Sequence, residues 1–109
     1  MNKKFVADYK AKFGGYPSFY AAQAYDTMMA IDYAAGKAGS SDSAAMRAVL
    51  AKGGIPTTRG SLAMNSNQFP IQNIYLREAV MDADGVPTTK VIGTVFENHG
   101  DAYAKDCQF

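Results

Sequence analysis

Apolar residues recur at helical spacing at the start of the chain. Phe5, Tyr9 and Phe13 fall four residues apart, and most of the lysines around them lie on other faces. This spacing predicts an amphipathic helix over residues 2–13. Gly14 follows directly and favours an end to the helix there, because glycine adopts the left-handed C-cap conformation without steric cost.

Two further helices are predicted before the middle of the chain. Ser18 is suited to capping the N-terminus of the second helix and Gly39 to ending it. The apolar stripe of this helix contains Tyr20, Ala24, Met28, Ile31 and Ala35, and it is widened by Tyr25, Met29 and Tyr33. Its many alanines indicate close packing against something broad, such as a sheet. The third helix is predicted over residues 42–52, with Ser41 or Asp42 as its cap and three buried side chains: Met46, Val49 and Leu50.

The second half of the chain changes from helical to alternating periodicity. A short strand is predicted over residues 60–65 and a long one over residues 71–81. Residues 82–85 (DADG) predict a hairpin turn that leads into a returning strand over residues 88–96. A last short helix is predicted over residues 100–106.

The predicted fold class is an incomplete α/β arrangement, in which three helices are followed by short strands and an antiparallel hairpin. Each apolar helix face has to be buried against another element. Three such faces need more sheet than these strands provide. The sequence therefore predicts that the chain is part of a larger fold or that it dimerises to complete one.

Composition and charge narrow the functions that the chain can have. Its 109 residues include 11 basic and 10 acidic ones, for a net charge of +1. No basic cluster is present, so a nucleic-acid surface is not expected, since such surfaces displace counterions from phosphate. Cys107 is the single cysteine, which leaves open either a free thiol or a bond to another chain. No apolar run approaches the length that spans a bilayer.

No motif predicts catalysis, a metal site or a cofactor. His99 has no matching nucleophile or acid motif and is expected to be an exposed loop residue. A calcium loop beginning at Asp82 would need glycine at its sixth position and an acid at its twelfth. Those positions hold Pro87 and Gly93. The chain is therefore not expected to be an enzyme or to bind a metal ion or a cofactor.

Four segments follow one another in a recognisable order. The first two are residues 5–14 (FVADYKAKFG) and residues 17–26 (PSFYAAQAYD). The third is residues 58–65 (TRGSLAMN), and the fourth is residues 69–78 (FPIQNIYLRE) with the DADG turn behind it. Together they resemble the C-terminal portion of solute-binding proteins of the leucine/isoleucine/valine-binding family. The third segment is similar to the family's strand with the pattern R-G-x-[LFI]-x-[FM].

The resemblance implies a type I periplasmic binding fold, in which two α/β lobes joined by three hinge crossings close on a solute. It implies that residues 1–70 belong to one lobe. Residues 71–109 would then form a hinge-crossing strand, the hairpin and a tail associated with the second lobe. Full-length members are much longer, and their main contacts to the ligand lie in segments upstream of these.

The same resemblance implies capture of a solute in the periplasm and its delivery to the permease of an ABC transporter. Branched-chain or other apolar amino acids are the expected solutes, with aromatic acids as the main competitor. The opening residues (MNKKFVAD) lack the apolar segment of a signal peptide.

Candidate ligand-binding residues are Phe19, Tyr20 and Gln23, in the first turns of the second helix. A helix N-terminus can direct amide donors at a carboxylate, and aromatic side chains can line an apolar pocket. Phe19 and Tyr20 are also compatible with a place in the core, and both interpretations stay open. Gln72 and Asn73 lie near the expected crossing and are assigned to the hinge or to backbone hydrogen bonding rather than to the solute.

The alternative function is a free-standing interaction module that binds no solute. Such a module would dimerise through its exposed helix faces, as a homodimer or a swapped assembly. A cooperatively folded monomer of 11.7 kDa would contradict the expectation of an incomplete fold.

Overall fold

The computed structural model describes residues 1–107. Three helices come first along the chain. These are α1 (Asn2–Phe13), α2 (Phe19–Ala38) and α3 (Ser43–Ala51). The side chains of Ser18 and Asp42 accept hydrogen bonds from backbone amides in the first turns of α2 and α3. Gly14 and Gly39, with φ angles of 77° and 61°, end α1 and α2 in the left-handed conformation. The predicted helices and their caps are confirmed.

Four strands follow: β1 (Ile55–Thr57), β2 (Gly60–Met64), β3 (Pro70–Met81) and β4 (Pro87–His99). They form one antiparallel sheet in the order β1-β2-β3-β4, so each strand pairs with the next along the chain. β1 is missing from the sequence prediction, because a three-residue strand that contains Pro56 carries little local signal. The helix predicted over residues 100–106 is wrong in extent, since only Ala104–Asp106 form a short 3-10 helix.

The β3–β4 hairpin is long, irregular and open to solvent. Its pairing register shifts at three places between residues 72 and 77. Bulges of this kind turn the following side chains to the other face, so the predicted alternation of the two strands is broken. Every residue from 73 to 79 is exposed. The hairpin therefore presents apolar side chains to solvent, among them Leu76 and Phe96, each 53% exposed.

The main part of the core is small and lies where α1, α2 and β1 meet. The buried ring of Phe5 on α1 lies 4.7 Å from the ring of Tyr25 on α2, measured between centroids. Ala34 on α2 and Ile55 on β1 are also buried. α3 packs chiefly on α2. For that reason three side chains that were predicted to be buried are only half-buried: Met46, Val49 and Leu50.

The apolar stripe of α2 faces solvent. Tyr20 is 81% exposed, Met28 64% and Ile31 45%. At about 100° per residue, this stripe is centred on the side of the helix opposite to Asp26, and Ala34, the other buried residue of α2, lies between Asp26 and the stripe. α2 thus packs on α3 and β1 and leaves this apolar stripe uncovered.

The molecule exposes more surface than a closed domain of its size. Its accessible area is 7839 Å², against about 5900 Å² for a compact protein of the same mass. Its radius of gyration is 16.3 Å, against about 13 Å for a compact chain of this length. The predicted fold class is confirmed: three helices precede a small antiparallel sheet that does not cover them.

Candidate functional site

Three predicted site residues form a patch at the start of α2, called here the α2 patch: Phe19, Tyr20 and Gln23. Phe19 is 66% exposed and Tyr20 81%, which excludes a place for either in the core of this chain. Their rings meet edge to face, with centroids 5.9 Å apart. Gln23 is half-buried, one helical turn further along. Their role in ligand binding stays a prediction.

The sequence just before α2 places this patch at a helix N-terminus. Pro17 disfavours helical conformation for the residue before it. The Oγ of Ser18 then accepts a hydrogen bond from the amide of Ala21 at 3.2 Å, so that α2 begins at Phe19. The positive end of the helix dipole therefore lies at the patch. Aromatic surface beside this positive end suits a ligand that combines an apolar group with a carboxylate.

The other two predicted site residues, Gln72 and Asn73, lie near the start of β3. Gln72 pairs with His99 across the hairpin, and its Oε1 accepts a hydrogen bond from Nη1 of Arg59 at 2.7 Å. The Oδ1 of Asn73 accepts a hydrogen bond from the amide of Asn98 at 2.8 Å. In residues 1–107 these two side chains make no hydrogen bond to the α2 patch. Their role as a hinge stays a prediction.

A shallow groove of 240 Å³ opens beside Gln72. Its walls are formed by seven residues: Phe69, Pro70, Gln72, Ile74, His99, Gly100 and Asp101. The exposed imidazole of His99 stacks on the ring of Phe96, with centroids 5.0 Å apart. The carboxylate of Asp101 accepts a hydrogen bond from Nδ2 of Asn67 at 2.7 Å. The contact of Asp101 with Asn67 ties the base of the hairpin to the β2–β3 turn.

A polar network that the sequence prediction missed connects α2 with the start of β3. Asp26 is only 5% exposed, and its carboxylate accepts hydrogen bonds from the amide of Thr58 at 2.6 Å and from its hydroxyl at 2.9 Å. Nε of Arg59 lies 3.5 Å from the same carboxylate, while Nη1 of Arg59 donates to Gln72. The buried charge is therefore paired and hydrogen-bonded, as a buried carboxylate needs to be.

A second polar cluster holds the tip of the hairpin against the α1–α2 connection. Oδ2 of Asp82 accepts a hydrogen bond from the hydroxyl of Tyr16 at 2.8 Å, and Nζ of Lys10 lies 3.9 Å away. Oδ1 of Asp82 accepts from the amides of Val86 and Asp84 at 2.8 and 2.9 Å. The amide of Val86, and next the hydroxyl of Tyr16, lower the pKa of Asp82 below its ordinary value. The DADG segment is thus a hairpin turn, as predicted.

Cys107, the last described residue, is exposed and forms no disulfide within residues 1–107. In the same part of the chain, no three His, Cys, Asp or Glu side chains are placed to hold a metal ion together. None of the described helices combines the length and the apolar character that crossing a bilayer requires.

Comparisons with known proteins bear on the family of the chain. Neither the curated proteins nor the solved structures gave a match. A family model described as periplasmic binding protein matches residues 1–85. The matched region contains all three helices, the first three strands, the α2 patch and the network around Asp26. The chain belongs to the periplasmic binding protein family.

Proposed function

We propose that the chain is part of a receptor that captures an amino acid or a related small carboxylate by lobe closure. The receptor would bind its solute in the periplasm and pass it to the membrane permease of an ABC transporter. The observation that carries the proposal is the family match over residues 1–85, which includes the α2 patch. Proteins of this family bind solutes and are in general not enzymes.

The chemistry of the α2 patch favours a solute with an apolar group and a carboxylate. The two exposed aromatic rings, Phe19 and Tyr20, offer apolar contact surface. The positive end of the α2 dipole favours an anionic group next to them. The side-chain amide of Gln23 can donate to a carboxylate or accept from an ammonium group. Branched-chain amino acids, other apolar amino acids and aromatic acids meet these requirements.

Closure needs two bodies with a hinge between them. We assign residues 1–70 to one lobe and residues 71–109 to the crossing strand, the hairpin and a tail associated with the second lobe. Gln72 and Asn73 stand at the start of the second part. Only two residue pairs join β2 to β3 just before them, so bending here breaks fewer hydrogen bonds than bending within the hairpin.

A nuclear magnetic resonance titration of the 109-residue chain with leucine and with phenylalanine tests the proposal. We expect chemical-shift changes at the α2 patch. The expected Kd is on the order of 1 mM, because one wall of a cleft supplies only part of the contacts. Leucinamide, which lacks the carboxylate, should bind about tenfold more weakly, since it loses a charge-assisted hydrogen bond.

The variant Tyr20→Ala removes the more exposed ring of the patch and should abolish these shifts. Tyr103→Ala is the matched control, because Tyr103 is 73% exposed but lies in the segment after β4. Shifts that persist at full size in Tyr20→Ala, or that occur only outside the patch, would contradict the proposed surface. The alternative of a dimerising module without solute binding stays a prediction, and light scattering on the same sample tests it.

A further inference from the structure

Arg59 makes contacts in two directions from the turn between β1 and β2. On one side its Nε lies 3.5 Å from the carboxylate of Asp26 on α2. On the other its Nη1 donates a hydrogen bond of 2.7 Å to Gln72 on β3. We propose that Arg59 is a positioning residue that fixes the angle between α2 and β3. The inference rests on the proposed function, because α2 carries the proposed solute patch and β3 begins at the proposed hinge.

The contact with α2 is well fixed. Asp26 is 5% exposed and accepts two hydrogen bonds from Thr58 in addition to its contact with Arg59. It follows Gln23 of the α2 patch by three residues, which is about one helical turn. A displacement of the patch by a bound solute would therefore carry Asp26, and with it Arg59, in the same direction.

The contact with β3 lies at the base of this long strand, where a small rotation displaces the far end of the hairpin by a large distance. β2 and β3 share only two residue pairs, Ala63 with Ile71 and Met64 with Pro70, and Gln72 follows directly. β3 is 12 residues long, which corresponds to about 40 Å of extended chain. Few backbone hydrogen bonds hold the base of this long arm, so the side-chain contacts there, of Arg59 with Gln72 and of Asn67 with Asp101, contribute strongly to its orientation.

Arginine has the geometry that this double contact requires. The guanidinium group presents its donors in a rigid planar fork, so that Nε and Nη1 can meet two acceptors at the same time. Lysine carries the same charge on a compact ammonium group without a fork. Arg59→Lys therefore keeps the charge and loses the geometry. Gln72→Leu removes the acceptor on β3 at nearly constant size, and Gln72→Glu retains it.

The contacts of the hairpin tip with α1 and the α1–α2 connection have to be removed first. The contribution of the base to the orientation of the hairpin can then be measured. The hydroxyl of Tyr16 donates a hydrogen bond to Asp82 in the turn between β3 and β4. Tyr16→Phe removes this bond, and Lys10→Met removes the ammonium group whose Nζ lies 3.9 Å from the same carboxylate. In this background the orientation of the hairpin depends chiefly on its base.

Distances between spin labels, measured by double electron–electron resonance, test the proposal in the whole chain. The background carries Tyr16→Phe and Lys10→Met, which release the hairpin tip, and Cys107→Ser, so that labels attach only to introduced cysteines. The test pair is Asp32→Cys on α2 with Glu78→Cys on β3, both at exposed positions. The control pair is Asp32→Cys with Arg47→Cys, which joins α2 to α3 and does not cross the proposed hinge.

We expect Arg59→Lys and Gln72→Leu each to widen the α2–β3 distance distribution about twofold, with the α2–α3 distribution unchanged. Gln72→Glu should leave the α2–β3 distribution as narrow as that of the unaltered chain, because its carboxylate still accepts from Arg59. Unchanged α2–β3 distributions in both Arg59→Lys and Gln72→Leu overturn the positioning role. Equal widening of the control pair also overturns it, because the effect is then a general loosening. No solute is added, so this result is independent of the outcome of the titration.

Discussion

The two faces of α2 both carry apolar side chains, but this chain covers only one of them. One face carries the carboxylate of Asp26 and is buried, whereas the opposite face carries Tyr20, Met28 and Ile31 and is exposed. Apolar faces are normally the buried ones, because burial lowers the free energy by about 25 cal/mol for each Å² of apolar area. In this chain the buried face of α2 combines such packing, as between Tyr25 and Phe5, with hydrogen bonds from Thr58 to Asp26.

This difference shows what determines the orientation of α2. Apolar packing and the hydrogen bonds of Asp26 hold the helix on the side where β1 lies, and the described part of the chain places no sheet over the apolar stripe. The whole molecule exposes about 1900 Å² more than a compact protein of its mass would, given its area of 7839 Å². One face of α2 thus positions the helix within the chain, and the other presents a surface that suits packing against a further layer.

Replacing Asp26 by alanine has the largest expected effect on this comparison. The change leaves the amide and hydroxyl of Thr58, and also Arg59, without their buried acceptor. We expect the free energy of unfolding to fall by about 3 kcal/mol, as when one partner of a buried charged pair is removed. Urea unfolding followed by circular dichroism measures the loss.

Asp32→Ala is the matched control for this experiment, because Asp32 is an exposed acid on the same helix. Its removal should change the free energy of unfolding by less than about 0.5 kcal/mol. Equal effects of the two substitutions would contradict a special role for the buried face.

Replacing one alanine by leucine on each face compares the packing of the two faces, with a smaller expected effect than that of Asp26→Ala. Ala34 is 0% exposed on the buried face, whereas Ala24 is exposed in the apolar stripe. Ala34→Leu should lower the free energy of unfolding by about 2 kcal/mol, because extra methyl groups do not fit a packed site. Ala24→Leu should change it by less than about 0.5 kcal/mol, since leucine and alanine have similar helix propensities. If urea unfolding shows that Ala34→Leu lowers the free energy of unfolding no more than Ala24→Leu does, the buried face is not closely packed.

Much of the fold was predictable because its signals are local. Ser18 and Asp42 cap the helices that they precede, and Gly14 and Gly39 end helices at the residues where glycine was expected to do so. These caps act within a few residues along the chain, so the sequence alone contains them. The hairpin turn at residues 82–85 was predictable for the same reason.

The missed features depend on partners that are distant in sequence. β1 exists because Ile55 pairs with Leu62, and its own three residues predict no strand. In the sequence, Asp26 is one of several polar residues of its helix. No local signal indicates that Thr58, 32 residues later, donates hydrogen bonds to it. The sequence predicted that apolar helix faces exceed the sheet, but the face of α2 that stays open depends on contacts distant in sequence, among them that of Asp26 with Thr58.

The smallest expected effect concerns the hairpin tip, which the polar contacts of Asp82 with Tyr16 and Lys10 hold in place. The pKa of Asp82 is lowered from the ordinary value of 3.8, chiefly by the amide of Val86 and then by the hydroxyl of Tyr16. The folded chain therefore holds this proton less readily than the unfolded chain. The stabilising contribution of the carboxylate is fully present above pH 3.8 and is lost as the pH falls through the lowered pKa.

Protection of the Val86 amide against hydrogen exchange reports directly on this contact, because that amide donates to Asp82. We expect constant protection factors from neutral pH down to about pH 4, followed by a decline in more acidic solution. Asp82→Asn should remove this pH dependence, because asparagine does not titrate. Asp84→Asn, which changes an exposed charge in the same turn, should retain it. A decline that begins well above pH 4, or that persists in Asp82→Asn, would assign the acid sensitivity of the hairpin tip to another group.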